Sequence, residues 1–145
     1  MRKAFVVTSG VLLAVFALQF VFAAVGAFTK PAGGDGSYRL HSITGMAVIP
    51  ALTLLTILFA VLAKAPGRLI GLAALPLGLV VLQALLAALA NGLTDATGQT
   101  TVAGFIVAGL HALNGIVAVH VVVSVLRGAR KLGSPVVEPV LVEQA

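Results

Sequence analysis

The sequence predicts an all-α integral membrane protein, a bundle of four transmembrane helices built from two parallel-repeated hairpins, with both termini in the cytoplasm. Three observations support this fold class. Of the 145 residues, 60% are hydrophobic and only 9% are charged, which is too few for the surface of a soluble domain. Apolar runs long enough to cross about 30 Å of hydrocarbon occur four times. One polar pattern also appears in both halves of the chain.

The four apolar runs place the predicted helices at about residues 4–28, 38–63, 69–91 and 102–126. The first run follows the basic start "MRK", but it is too long for a signal peptide. The transmembrane domain is therefore predicted over residues 1–131. Residues 132–145 contain Pro135 and Pro139 and have no helical period, so we expect an extended or disordered cytoplasmic tail.

The basic residues predict how the helices are oriented. Most of them flank the helix ends on one side of the predicted bundle: Arg2, Lys3, Lys64, Arg68, Arg127, Arg130 and Lys131. Only Lys30 and Arg39 lie on the other side. The positive-inside rule then predicts a multi-pass protein of a bacterial-type cytoplasmic (inner) membrane with both termini inside. Topology and the anionic bilayer surface account for the positive charge, so nucleic acid is not expected as a partner.

A Leu-Gln pair and a later histidine motif occur once in each predicted hairpin. "LQFVFAAVGAFT" matches "LQALLAALANGL", and "LHSITG" matches "LHALNG". Gln19 and Gln83 are 64 residues apart, and His41 and His111 are 70 residues apart. Both hairpins start on the same side, so the repeat is parallel and places the two histidines at similar depth in the outer half of the bilayer. In such a bundle the second and fourth helices, or the first and third, face each other.

Helical spacing extends each histidine into a candidate site. His41 shares its face with Thr44 and Gly45, and His111 shares its face with Gly104, Asn114 and Gly115. Neutral imidazole is a common haem ligand, so the predicted metal ligands are His41 and His111. The predicted cofactor-binding residues are Gln19, Arg39, Thr44, Gly45, Gln83, Gly104, Asn114 and Gly115. Among these, the glutamines would steady a histidine ring nitrogen or a cofactor edge, and Arg39 would pair with a haem propionate.

Other interpretations of the histidines stay open at this stage. They could form structural hydrogen bonds between helices, with the small residues serving close packing. They could also bind another metal or form part of a proton path. His120 lies nine residues after His111 and therefore on the opposite helix face. We expect His120 to be a packing or interhelical hydrogen-bonding residue, with a second cofactor or quinone contact as the alternative.

The residues that are absent exclude several chemistries. The only acidic residues are Asp35, Asp95, Glu138 and Glu143, all outside the predicted helices, and cysteine is absent. The sequence therefore contains no buried carboxylate, no acid–base pair, no nucleophile motif and no phosphate-binding loop. No catalytic residue is predicted, and an electron carrier or accessory subunit is favoured over an enzyme.

A four-helix unit with "LQ" in its odd helices and a histidine in each even helix resembles one half of the haem A synthase family, whose members carry two such bundles. The resemblance spans nearly all four helices and implies that His41 and His111 are axial ligands of one b-type haem. The family typically has a glutamate shortly before a ligand histidine and often a cysteine pair. This chain has "GSYRL" before His41 and no cysteine. The resemblance thus implies haem binding without oxidation of a haem methyl group.

The predicted function is that of a b-type cytochrome-like protein that binds one bis-histidine haem b for electron transfer. The expected partners are a quinone or a redox partner protein, and the chain could form a homo-oligomer or belong to a larger membrane complex. Two alternatives remain: a non-enzymatic accessory subunit, or a quinone- or lipid-binding protein without haem that uses Gln83, Asn114 and His111. An open cleft between His41 and His111 would favour a ligand, and direct packing would favour the accessory subunit.

Overall fold

The computed structural model describes residues 1–29 and 36–133 as four helical segments. They are α1 (Arg2–Phe28), a second segment made of α2 (Arg39–Ile43), a π-helical turn (Thr44–Val48) and α3 (Ile49–Leu62), then α4 (Gly67–Gly92) and α5 (Val102–Gly133). Each segment is long and apolar enough to cross a membrane. The predicted all-helical architecture, with four segments long and apolar enough to span a membrane, is confirmed.

Two features of the segments differ from the prediction. Helix α5 continues to Gly133, seven residues past the predicted end, because its charged end has good helix formers such as Arg130 and Lys131. Of the predicted tail, residues 134–145 lie outside the described residues. The second segment contains the π-helical turn, in which the Ile49 N–H donates to the Thr44 carbonyl. Pro50 follows directly and has no N–H to donate, so a widened turn accommodates it.

The segments form a ring in which neighbours along the ring pack together. Helix α1 packs against α3 and α5, and α4 packs against the same two helices. Within the described residues, the diagonal pairs α1/α4 and α3/α5 have no comparable contact. The second and fourth segments, which carry His41 and His111, therefore lie diagonally opposite each other.

The core is divided between the two ends of the bundle. We call the end with residues 1–10, 60–73 and 122–133 the terminal end, and the end with residues 26–41 and 90–104 the loop end. Near the terminal end, Phe5, Ala73 and Val125 belong to one buried apolar cluster. Leu12 and Val122 belong to a second cluster near the middle. Apolar side chains thus fill the interior of the bundle from the terminal end to the middle.

The outer surface of the bundle is apolar. Large hydrophobic side chains such as Phe28, Leu85 and Phe105 are more than half exposed. A soluble bundle would carry polar residues on this face, because a large exposed apolar surface promotes aggregation. The exposed surface is therefore the kind that a lipid bilayer covers.

The connection between α4 and α5 is ordered by one carboxylate. Asp95 Oδ1 accepts hydrogen bonds from the Thr97 hydroxyl at 2.6 Å, the Thr97 N–H at 2.8 Å and the Gln99 N–H at 3.0 Å. These bonds, the one from the Thr97 side chain foremost, lower the pKa of Asp95 below its ordinary value. Gly98 in the same turn has φ +81°, a backbone conformation that suits glycine.

Candidate functional site: an apolar cavity with two histidines

A cavity of about 610 Å³ lies in the loop half of the bundle and is bordered by all four segments. Many of the side chains that form its walls are small, among them six alanines: Ala23, Ala84, Ala87, Ala90, Ala108 and Ala112. Phe16 and Ile49 line the cavity and also belong to the central core cluster, so they form its floor. The volume is within the range of about 300–1,000 Å³ found for ligand and cofactor sites.

His41 and His111 both line this cavity, and the same type of hydrogen bond orients each ring. His41 Nδ1 lies 3.1 Å from the backbone carbonyl oxygen of Gln19, and His111 Nδ1 lies 3.0 Å from that of Gln83. A carbonyl oxygen only accepts, so Nδ1 carries the proton and donates. In the neutral ring, Nε2 therefore keeps its lone pair free for a metal or a donor.

The two imidazole rings lie close together inside the cavity. Their ring centroids are 6.2 Å apart and their planes are inclined by 51°, within the range of neighbouring aromatic rings. The Tyr38 ring lies edge-on to His41, with 6.5 Å between centroids.

The glutamine side chains pack beside the glycines that follow each histidine by four residues. A Cβ atom on Gly45 would lie 2.9 Å from Gln19 Nε2, and a Cβ atom on Gly115 would lie 3.4 Å from Gln83 Nε2. Gln19 Nε2 also donates to the His41 carbonyl at 3.2 Å. The glycines therefore make room for the glutamine amides, and each histidine ring is steadied by a glutamine main-chain carbonyl and not by its side chain.

The two halves of the site differ in one polar residue. Asn114 Nδ2 donates to Gln83 Oε1 at 2.7 Å and to the Leu79 carbonyl at 2.9 Å. The matching position in the first half is Thr44, which makes no corresponding hydrogen bond to Gln19 in the structure. Gln19 is only 8% exposed, and its Oε1 atom has no hydrogen-bond partner among the described residues. The glutamine side-chain oxygen thus has a donor, Asn114, in the second half of the site and none among the described residues in the first half.

Of the ten residues predicted for the site, six line the cavity: Gln19, His41, Gly45, Gln83, His111 and Gly115. The other four lie elsewhere. Arg39 is exposed at the loop end, Thr44 is half-buried in the π-helical turn, and Asn114 lies behind Gln83. Gly104 packs against the Leu93 carbonyl at the start of α5. Its role is close packing of the α4–α5 connection.

His120 lies where helical geometry predicted, on the face opposite His111. Its side chain is exposed on the outside of the bundle, and its Nδ1 lies 2.9 Å from the Ile116 carbonyl oxygen of the same helix. It therefore does not line the cavity that contains His41 and His111.

Sequence reasoning missed several residues that line the cavity, among them Phe20, Tyr38, Met46 and Asn91. Tyr38 is three residues before His41, and Asn91 follows the alanines that share a face with Gln83. Helical spacing could have included both. The backbone carbonyls of Gln19 and Gln83 could not be predicted from the sequence as the acceptors, because every residue has a backbone carbonyl. The register between neighbouring helices decides which carbonyl meets a ring nitrogen.

The protein supplies few metal ligands at this site. Within residues 1–29 and 36–133, no group of three or more His, Cys, Asp or Glu side chains could hold a metal ion. Structural zinc requires four protein ligands and catalytic zinc usually three. Two imidazoles are sufficient only where another group provides the remaining ligands.

The fold and the cavity define a class: a small four-helix protein, apolar on the outside, with a two-histidine cavity between its helices. The chain belongs to the family of unknown function DUF6220, whose family model matches residues 19–91. The matched part includes Gln19, His41 and Gln83 and ends before His111. No curated protein and no solved structure matches the chain.

Proposed function

We propose that the protein is a multi-pass membrane protein that binds one haem b between His41 and His111 and transfers electrons through it. The observation that carries this proposal is the pair of imidazoles held by equivalent carbonyl bonds, 6.2 Å apart between centroids, in an open cavity. Histidines that served packing alone would not need a cavity of this volume beside them, so the open space that both rings line favours a ligand.

The number of protein ligands favours haem over a bare metal ion. His41 and His111 would supply two nitrogens, and a porphyrin would supply the remaining ligands of its own iron. The alanine-rich walls and apolar floor suit the apolar body of a macrocycle. Arg39 is exposed at the loop end, two residues before His41, where it could pair with a carboxylate of the ligand.

The residues of the site would orient the rings toward such a group. The Nδ1–carbonyl bonds fix the ring orientation and the tautomer, as second-sphere acceptors do for other metal-bound histidines. When bound, haem iron supplies one-electron redox chemistry. Because both histidines would hold the iron, the site would favour electron transfer over binding of oxygen. A quinone or a redox partner protein would exchange the electrons.

The distribution of charge supports an orientation with the terminal end in the cytoplasm of a bacterial-type cell. Arg2, Lys3 and Lys64 lie at that end with several further cations, whereas Arg39 is the only basic residue described at the loop end. The site lies in the loop half, since Gln19 precedes Phe28 by nine residues and His111 follows Val102 by nine. The haem would thus lie in the outer half of the bilayer.

Titration of haem into the detergent-purified apoprotein tests the proposal. We expect saturation at one haem per chain, with the absorption spectrum of a low-spin iron. Serum albumin, added in a second step as a competing haem acceptor, should extract the haem only slowly, since the bonds from both histidines would have to break. No binding, or weak binding without a defined stoichiometry, would overturn the proposal.

A second candidate function is suggested by the two imidazoles that line the apolar cavity. In the neutral rings with Nδ1 protonated, the two Nε2 atoms are acceptors, which suits a ligand that carries hydroxyl donors, such as a hydroquinone. In this case the iron is absent and His41 and His111 bind the hydroxyl groups. Binding of a quinol analogue to the haem-free protein, with affinity reduced in His111→Ala, would favour this candidate over haem.

A further inference from the structure

A second cleft lies at the terminal end, between the start of α4 and the end of α5, away from the histidine cavity. Its volume is about 510 Å³, and three cations border it: Arg68 from α4, and Arg127 and Lys131 from α5. These side chains are exposed, so they are free to reorient toward a ligand. Three like charges at one cleft repel each other unless an anion lies between them.

No acidic side chain among the described residues neutralises this cleft. The only carboxylate in residues 1–29 and 36–133 is Asp95, which lies at the loop end, at the opposite side of the bundle. The start of α4 adds to the positive potential, because its N-cap residue Pro66 makes no side-chain cap and also lines the cleft. The unpaired N–H groups of a helix start carry partial positive charge.

The inner wall of the cleft is apolar. Leu69 and Leu72 are half-buried and line it below the cations. Leu69 packs closely on Gly128, where an added Cβ would lie 2.6 Å from Leu69 Cδ1. The cleft extends to Ser124, nearly one turn deeper toward the middle of the bundle than Arg127. A free anion would need only the cations, whereas a cationic rim above an apolar wall suits a molecule with an anionic head and an acyl chain.

We propose that this cleft binds an anionic phospholipid, with its phosphate group between Arg68, Arg127 and Lys131 and its acyl chain along Leu69 and Leu72. Basic pockets between transmembrane helices on the cytoplasmic side are suited to anionic headgroups. This inference does not depend on the proposed haem site, because it uses residues at the other end of the bundle. The lipid would join α4 to α5 where no ion pair among the described residues does so.

Native mass spectrometry of the full chain in neutral detergent tests this site. Phosphatidylglycerol and phosphatidylcholine with identical acyl chains are the probes. We expect one phosphatidylglycerol to stay bound per chain, at concentrations where phosphatidylcholine does not. Each basic residue near an anionic membrane surface changes affinity by about fivefold, so the double variant Arg127→Gln/Lys131→Gln should bind about 25-fold more weakly. Arg68→Gln should weaken binding by about fivefold.

The matched control is Arg2→Gln/Lys3→Gln, which removes two cations from the same end but outside the cleft and should leave affinity unchanged. Circular dichroism of each variant should show unchanged helicity. Equal binding of the two lipids, or an equal loss in both double variants, would overturn the proposal in favour of a general surface attraction. Displacement of the lipid by inorganic phosphate at similar concentration would overturn it in favour of a free-anion site.

Discussion

The imidazole rings of His41 and His111 are 70 residues apart in the sequence and 6.2 Å apart between centroids in the structure. Each ring donates from Nδ1 to a glutamine carbonyl on the neighbouring segment. The two hairpins therefore bring equivalent imidazoles to one cavity.

Replacement of either cavity histidine by alanine should abolish stable haem binding. Each variant, His41→Ala or His111→Ala, removes one of the two imidazole nitrogens that would hold the haem. Loss of a second-sphere partner alone lowers metal affinity by about 10–100-fold, so loss of a ligand should exceed about 100-fold. Haem titration measures the effect. His120→Ala is the control and should bind haem normally, because His120 is exposed outside the cavity. Equal tolerance of all three changes would contradict the assignment.

Asn114→Ala should destabilise the bundle more than Thr44→Ala, although the two residues hold matching positions in the repeat. Asn114 makes two interhelical hydrogen bonds, to Leu79 and Gln83, and its removal leaves buried acceptors without donors. We expect a loss of about 0.5–2 kcal/mol in the free energy of unfolding. Denaturation in mixed micelles, followed by circular dichroism, measures it. A larger effect from Thr44→Ala would show that the asymmetry has been misassigned.

Gly45→Ala should disturb the site more than Gly115→Ala. The added Cβ would lie 2.9 Å from Gln19 Nε2 in the first case and 3.4 Å from Gln83 Nε2 in the second. Gln19 is buried and bonded to the His41 carbonyl, so Gly45→Ala must displace this amide. The temperature of thermal unfolding and the affinity for haem should both be lower in Gly45→Ala.

Gly78→Ala is the control for these glycine changes. An added Cβ on Gly78 would meet nothing within 4 Å, and residue 78 lies inside helix α4. Alanine favours helix over glycine by about 1 kcal/mol, so this variant should be neutral or slightly more stable. If Gly45→Ala matched Gly78→Ala in both measurements, close packing of the glutamine on Gly45 would be refuted.

Asp95→Asn should loosen the connection between α4 and α5 at neutral pH. The pKa of Asp95 is lowered in the folded protein, chiefly by the Thr97 side-chain bond. Its stabilising effect is therefore present above the ordinary carboxyl pKa and is lost as the pH falls through the lower folded-state value. At neutral pH, the amide hydrogens of Thr97 and Gln99 should exchange faster in the variant than in the wild type. In acid, where the wild-type carboxylate is protonated, the difference between the two exchange rates should become small. Identical exchange at neutral pH would contradict this role.

Much of this fold was predictable from the sequence, because apolar length and helical period determine the segments. The pairing of Gln19 with His41, and of Gln83 with His111, also followed from the repeated motifs. The π-helical turn did not, since it results from Pro50 and the packing around it. Neither did the choice of a backbone carbonyl as the partner of each imidazole, because that depends on the vertical register of two helices. Gly104 and Asn114 were predicted to share a face with His111. In the structure, Gly104 packs against the α4–α5 connection, and Asn114 donates a hydrogen bond to Gln83.

The most direct test of the central claim is the absorption spectrum of the protein purified in detergent from haem-replete cells, first oxidised and then reduced with dithionite. The account predicts a Soret band and a sharp reduced α band of low-spin b-type haem, both lost in His41→Ala and in His111→Ala. A protein that stays colourless, even after haem is supplied, would contradict it and make the two histidines structural.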